Sequence, residues 1–308
     1  MGAEPRQQVE DRSGALARRK STSCSMNSWL AERAEAETAS RLMDSVPPIS
    51  AATQVTYVGH SCVLIEIGGV RLLTDPVLTR RVAHLRRQNA PIDPTHLRDI
   101  DAILISHLHA DHLHLPSLSM LETSTRVIGP HGTSHLLKRV GFGRIDEVGL
   151  GETVQVGELS IRSTYAEHRG YRYPAGPYAR AMGFLIRGRS GIYFAGDTDV
   201  FEEMADLQPG LDLAMLPVWG WGPTLGRGHL TPRRAAEALR RLQPRLAIPI
   251  HWGTYLPLGM GWMKPSSLTR PPVEFQAAAS LLAPEVRVRI LEPGSRLELS
   301  AEVGYAKT

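Results

Sequence analysis

The sequence predicts an α/β (α+β) protein in which two mixed β-sheets pack face to face with helices outside. Short apolar runs recur from Thr53 onward and are broken by Gly, Pro and Asp, which is the texture of many short strands. Apolar residues at i, i+3, i+4 and i+7 reappear near Thr231 and near Phe275, which is the texture of helices covering a sheet. A hydrophobic fraction of 42% over 308 residues supplies a core large enough for such a sandwich.

Residues 1–50 are rich in Arg, Glu, Ser and Ala and close on Pro47-Pro48, so they are expected to form a poorly ordered N-terminal extension. Residues 51–300 form the expected catalytic domain, and 301–308 a C-terminal tail. The domain opens with QVTYV, SCVLIEI and VRLLT, a meander whose last two strands turn at Gly68-Gly69. A loop rich in Arg and Pro follows from Pro76 to about Arg98. Next, Ala102 to Ile105 is continuously apolar, as suits a strand covered on both faces. Further strands are expected at RVIG, LSIRSTY, GFLIR, GIYFAG, LAMLPV, LAIPI, VRVRIL and RLELS. Thr231 is an N-cap with Pro232 at the first helical position, and Ala235, Ala238, Leu239 and Leu242 form the apolar stripe. Phe275, Ala278, Ala279 and Leu282 repeat that spacing.

Composition narrows the class. Cys24 and Cys62 are too few and too separate for a disulfide framework, so a reducing, cytoplasmic compartment is expected. The N-terminal Arg18, Arg19 and Lys20 are followed by no apolar run of signal-peptide kind, and no segment reaches the length of a membrane span. A net charge of +4 without interleaved aromatics is read as solvated surface, with no nucleic-acid partner expected. Nothing in the composition opposes a homo-oligomer.

The sharpest signal is Ser106-His107-Leu108-His109-Ala110-Asp111-His112, where four potential ligands fall within six residues directly after a buried-type strand. Imidazole nitrogen with carboxylate oxygen suits zinc, and also iron or manganese. Three later residues stand where a strand runs into a loop: His168 after STYAE, Asp197 after GIYFAG and His251 after LAIPI. Together these residues supply five histidines and two carboxylates, enough for two divalent transition-metal ions sharing one carboxylate. Two ions about 3.5–4 Å apart can activate a water and clamp the oxygens of a scissile group.

In their order, HLHADH, AEH, FAGDTD and IPIHWGTY resemble the ligand motifs of the metallo-β-lactamase superfamily, over a stretch from about Thr53 to about Leu299. GHSCVLIEIGGVRLLTDPVL, GHLTPRRAAEAL and IHWGTY are most similar to the branch containing N-acyl-phosphatidylethanolamine phospholipase D and ascorbate-6-phosphate lactonase. The resemblance implies an αββα sandwich, with His107, His109 and His168 on one metal, Asp111, His112 and His251 on the other, and Asp197 between them. It also implies that Asp75 in LLTDP lies beside the site and orients a ligand histidine, where the plain alternative is a turn carboxylate before Pro76. His60 and His229 match histidine positions in those relatives. His60 reads as a supporting residue, and His229 as a substrate contact or proton carrier weighed against packing. Gly228 stands where the phospholipase has glutamine, which departs from a lipid-headgroup site.

Trp219 and Trp221, set between glycines, line a pocket mouth or anchor their loop. Arg80, Arg81, Arg86 and Arg87 would attract an anionic small-molecule substrate, or form a solvated loop. The histidines at 84, 96, 114, 131 and 135 have no motif context and are read as surface residues. The expected activity is therefore hydrolysis of a phosphodiester, phosphate ester or lactone by a hydroxide generated on the metal pair, with Asp111, Asp197 or His229 handling protons. The alternatives are a di-iron oxidoreductase of flavodiiron type, a nuclease and a non-catalytic binding module. The first expects an attached flavodoxin domain and the second an inserted domain, neither of which is found in the sequence.

Overall fold

The structure is a computed structural model that describes residues 52–90, 92–172, 176–220, 226–260 and 266–299. The extension expected over residues 1–50, the tail 301–308 and Trp221 lie outside the described residues.

Among the described residues, two seven-stranded sheets and a smaller three-stranded sheet carry the fold. In spatial order the first sheet runs Arg296–Glu298, Gln54–Gly59, Cys62–Ile67, Val70–Thr74, Ala102–Leu104, Arg126–Pro130 and Ile145–Val148. The second runs Arg287–Val288, Leu246–Ile250, Leu213–Pro217, Gly191–Phe194, Met182–Arg187, Leu159–Tyr165 and Thr153–Val156. Both sheets are mixed. Val70–Thr74 pairs parallel with Ala102–Leu104, and Gly191–Phe194 pairs parallel with Leu213–Pro217, while the hairpins on either side are antiparallel.

Alternation along the first sheet explains its apolar runs. Val63, Ile65, Ile67, Leu72, Ala102 and Leu104 belong to the main core with the second sheet. Their neighbours Leu64, Leu73, Ile103 and Ile105 belong to a second core with Leu118, Leu136 and Leu137 of the short helices Leu115–Leu118 and Thr133–Leu137. Successive side chains leave opposite faces of a strand, so a strand covered on both sides must be apolar at every position. Each fully buried Leu or Ile of this kind contributes about 1.5–3 kcal/mol.

Beside the second sheet, helix Pro232–Leu242 packs against strand Leu213–Pro217 and against helix Ser266–Leu282. Its N-cap is Thr231, whose hydroxyl accepts the Arg234 backbone N–H, and Ala235, Ala236, Ala238, Leu239 and Leu242 are buried. The expected stripe and cap are both present. Among the described residues no helix is long and apolar enough to cross a membrane.

The segment read as an arginine-rich loop contains more order than its composition suggested. Arg81–Val82 and Leu85–Arg87 form a hairpin that pairs with Tyr255–Pro257. Its apolar residues Val77, Val82 and Leu85 gather on Tyr255, far downstream in the chain, so no local period announces them. Arg87 is buried there, donating to the Val77 carbonyl and lying over the Tyr255 ring. His114 is likewise buried rather than on the surface, with its Nδ1 2.7 Å from Ser117 Oγ.

Candidate metal centre

The candidate ligands stand at strand ends. Asp75 follows Val70–Thr74, the HxHxDH loop follows Ala102–Leu104, His168 follows Leu159–Tyr165, Asp197 follows Gly191–Phe194, and His251 follows Leu246–Ile250. Four of these strands run parallel to a neighbour, and their carboxyl ends form the edge where open α/β sheets leave a crevice. Leu108 within the HxHxDH loop and Leu113 just after it are buried in the second core and anchor the loop that carries His109, Asp111 and His112. Gly196 permits a close approach between the segments that carry Asp197 and His107. A Cβ there would lie 2.6 Å from Ser106 Cβ, and its φ is +61°.

The side chains gather into two adjoining donor groups. His107 Nε2 lies 3.0 Å from His109 Nδ1, and His168 Nε2 lies 3.1 Å from the same atom. Three nitrogens on one tetrahedral zinc, each at about 2.0–2.1 Å, would stand ~3.3 Å apart. In the second group His112 Nε2 lies 3.2 Å from His251 Nε2, and Asp111 Oδ2 lies 3.9 Å and 3.8 Å from these two nitrogens. His60 Nε2 closes this group at 3.2 Å from Asp111 Oδ2. Asp197 stands between the groups, 3.3 Å from His112 Nε2 and 3.4 Å from His251 Nε2, with a donor atom also grouped with His168 and His229.

Hydrogen bonds set the tautomers. The His168 Nδ1–H donates to the Gly228 carbonyl at 2.7 Å, which leaves Nε2 with a free lone pair. Asp75 takes the His112 Nδ1–H at 2.7 Å and also accepts from both the backbone N–H and the hydroxyl of Ser106. That hydroxyl in turn accepts the His107 Nδ1–H at 2.9 Å, so one carboxylate aims two imidazoles. Among the described residues, Asp197 Oδ1 is buried with no hydrogen-bond partner. A buried carboxylate oxygen left without a donor is costly, and a cation in the crevice would satisfy it. The donor set therefore fits transition-metal ions. Strain concentrates here as well, since His60, Asp75 and His251 hold positive φ angles of 59°, 33° and 61°.

Burial governs the protonation of the cluster. It pushes His251 down to about 3 and His168 to about 4, and it lowers His107 and His109 as well. Burial also opposes charge on His112, but Asp197, Asp75 and Asp111 outweigh it and hold that imidazole well above its ordinary range. Against burial, His251 and His112 hold Asp197 well below the usual carboxylate range, and His112 and His60 do the same for Asp111. His114, nearby but outside the cluster, is pushed by burial to about 4.

A pH dependence follows. His107, His109, His114, His168 and His251 bind protons less readily folded than unfolded, so the stability they contribute is full above about 6.5 and is lost as pH falls toward 4. His112 acts in the opposite sense, one residue against five. Thermal unfolding of chelator-treated protein should therefore show a melting temperature that falls from pH 7 to pH 4.5, as the unfolded chain takes up protons that the folded imidazoles refuse. A melting temperature that rises as the pH falls would contradict this charge distribution.

The family described as the beta-lactamase superfamily domain matches residues 70–252, a span that contains the HxHxDH loop, His168, Asp197 and His251. The chain belongs to the metallo-β-lactamase superfamily. A relative from Desulforamulus reducens, called a UPF0173 metal-dependent hydrolase, is 31% identical over 254 residues, covering 80% of this chain and 100% of the relative. The same fold occurs in Igni18, described as a metallo hydrolase from Ignicoccus hospitalis, with a TM-score of 0.62 and 24% identity over 80% of this chain and 98% of that one. It occurs again in CmlA of Streptomyces venezuelae, described as a diiron β-hydroxylase, with a TM-score of 0.61 and 21% identity over 88% of this chain and 59% of that one.

Around this metallo-β-lactamase crevice, His229 is partly exposed, with Nε2 3.6 Å from Asp197 Oδ2 and its ring edge-on to His168 at 4.7 Å. Trp219 is half-buried against the main core, while Arg80 and Arg81 are exposed beside the small sheet. Sequence reasoning missed three residues. Ser106 relays Asp75 to His107, Gly228 contributes only its carbonyl, and Arg172 donates through one guanidinium nitrogen to the carbonyls of Leu108 at 2.6 Å and Leu113 at 2.9 Å. The position of Ser106 against the first ligand was the available signal for it. Backbone contacts such as those of Gly228 and Arg172 leave none. Arg172→Met should keep the fold, since the change removes two charge-assisted bonds worth about 1.5–3 kcal/mol each and nothing from the core. It should weaken metal retention by about 10- to 100-fold, read by chelator competition, because the loop between Leu108 and Leu113 loses its clamp.

Proposed function

We propose that this chain is a metal-dependent hydrolase whose two donor groups hold two divalent transition-metal ions, and that it cleaves an ester-type bond of a small substrate, in a phosphodiester, phosphate ester or lactone. His107, His109 and His168 would hold one ion, Asp111, His112 and His251 the other, and Asp197 would face both. The observation that carries the reading is that the Nδ1 hydrogen bonds of His107, His112 and His168 turn their Nε2 atoms toward one crevice, beside an Asp197 oxygen with no hydrogen-bond partner among the described residues. Nitrogen and carboxylate donors without sulfur favour zinc, and also admit manganese or iron. When bound, such a pair lowers the pKa of a water and polarises the group under attack.

The residues of the chain supply the rest. Asp75 and Ser106 keep the imidazoles aimed, and His60 holds Asp111 in place at 3.2 Å. Asp197 and the partly exposed His229 stand 3.6 Å apart at the open side, where a proton can pass to a leaving group. Hydrolysis is preferred to di-iron oxidation because the 31% identical relative is named a metal-dependent hydrolase, while the likeness to CmlA supports the fold alone.

Elemental analysis of purified protein, paired with a screen against phosphodiesters, phosphomonoesters and lactones, tests the proposal. Two zinc or manganese ions per chain and turnover that a chelator abolishes are the expected results. Folded protein that is active and persistently metal-free would overturn the reading, and two irons with oxygen-consuming activity would replace it by the oxidoreductase.

A further inference from the structure

Beside His168 the structure opens a cavity of about 460 Å³, within the size range of small-molecule sites. Arg169, Arg180 and Arg227 line it together with Tyr165, Tyr178 and Glu167. The lining thus has three arginines to one glutamate, whose carboxylate already accepts the Tyr165 hydroxyl. The cavity is therefore cationic. Some arginines elsewhere are tied down: Arg234 pairs with Asp199, Arg126 with Asp146 and Arg296 with Glu66. Among the described residues, none of the three arginines of the cavity forms an ion pair.

The cavity is coupled to the metal centre by the chain itself. Arg169 adjoins His168, and Arg227 adjoins Gly228, whose carbonyl holds the His168 ring. His168 lines the cavity while its Nε2 lies 3.1 Å from His109 Nδ1, so a group seated among the arginines would stand next to the first donor group. Tyr165 is braced edge-on by Phe201 at 5.1 Å and is 40% exposed, and Tyr178 is 65% exposed, so two phenol rings remain available to a flat ligand. Arg80 and Arg81, the cations to which the sequence drew attention, do not line this cavity.

We propose that this cavity is an anion subsite, where Arg169, Arg180 and Arg227 hold a carboxylate or phosphate carried on a flat organic body while the bond to be cleaved reaches the metal centre. The inference rests on the hydrolase reading for the centre next to it, but the anion binding is measurable without turnover. Forked guanidinium donors match both oxyanions, and a rigid phenol surface costs little ordering entropy.

Calorimetric titration of the metal-loaded protein with phenylphosphonate and with benzoate tests it. Arg180→Glu with Arg227→Glu should weaken binding of the favoured anion by about 10- to 100-fold, the loss expected for charge-assisted bonds. The comparison of the two probes identifies the phosphate or the carboxylate as the preferred group. Arg80→Glu with Arg81→Glu, and Arg233→Glu on the outer helix, should change it by less than about 2-fold in moderate salt. All these side chains are exposed, and circular dichroism verifies that each variant folds. The proposal is overturned if neither anion binds, if binding survives the Arg180 and Arg227 reversals, or if the Arg80 and Arg81 reversals abolish it instead. Arginine-dependent binding without turnover of any ester would remove the hydrolase reading and leave the subsite. Turnover with arginine-independent binding would do the reverse.

Discussion

Asp197→Ala should lower kcat/KM by about 10³- to 10⁴-fold, at the upper end of what a positioned proton-handling group contributes, and should reduce the metal content from two ions to one. Asp197 is almost fully buried and within 3.6 Å of His112, His251 and His229, so no other side chain can take its place between the two donor groups. Asp197→Asn is the informative companion. It keeps the shape but loses the negative charge that balances the buried imidazoles, and it should recover folding without recovering turnover. Elemental analysis together with steady-state kinetics on a substrate from the screen decides the matter. Two tightly held ions and undiminished turnover in Asp197→Ala would remove the shared-carboxylate centre.

Asp75→Ala should be the most damaging change outside the donor groups. The carboxylate is fully buried and makes three hydrogen bonds, to the Ser106 N–H, the Ser106 hydroxyl and His112 Nδ1. Removing one partner of a buried pair typically costs about 3–5 kcal/mol, and here it would leave the two Ser106 donors and the His112 Nδ1–H without their acceptor. The metal-free protein should lose about that much stability in denaturant titration, and metal affinity should fall by about 10- to 100-fold. Asp75→Asn separates the two effects. Its amide would donate to His112 Nδ1 and so move the ring proton to Nε2, the atom that faces the crevice. That variant should stay folded yet bind the second ion poorly, whereas a carboxylate that served only the turn before Pro76 would leave metal binding unchanged.

The cation sites show how position overrides residue type. Arginines are spread along the whole chain, and the run at 80, 81, 86 and 87 stood out because it is dense in sequence. Folding buries Arg87 against Tyr255 and leaves Arg80 and Arg81 exposed beside the small sheet. Meanwhile Arg169, Arg180 and Arg227, scattered over three segments, line one cavity. Charge density along a chain says little about charge density in space, since long-range strand pairing decides which loops meet.

By itself the sequence determined the two-sheet architecture, because burial on both faces forces every residue of strands such as Ala102–Leu104 to be apolar, and burial of one helical face forces the stripe of Pro232–Leu242. It also determined the candidate ligands, because imidazoles and carboxylates clustered at strand ends are costly to keep without a use. Only the tertiary structure decided how those ligands are held. The Gly228 carbonyl and the Arg172 clamp act through backbone groups tens of residues from their partners, and such contacts leave no period, spacing or composition to read.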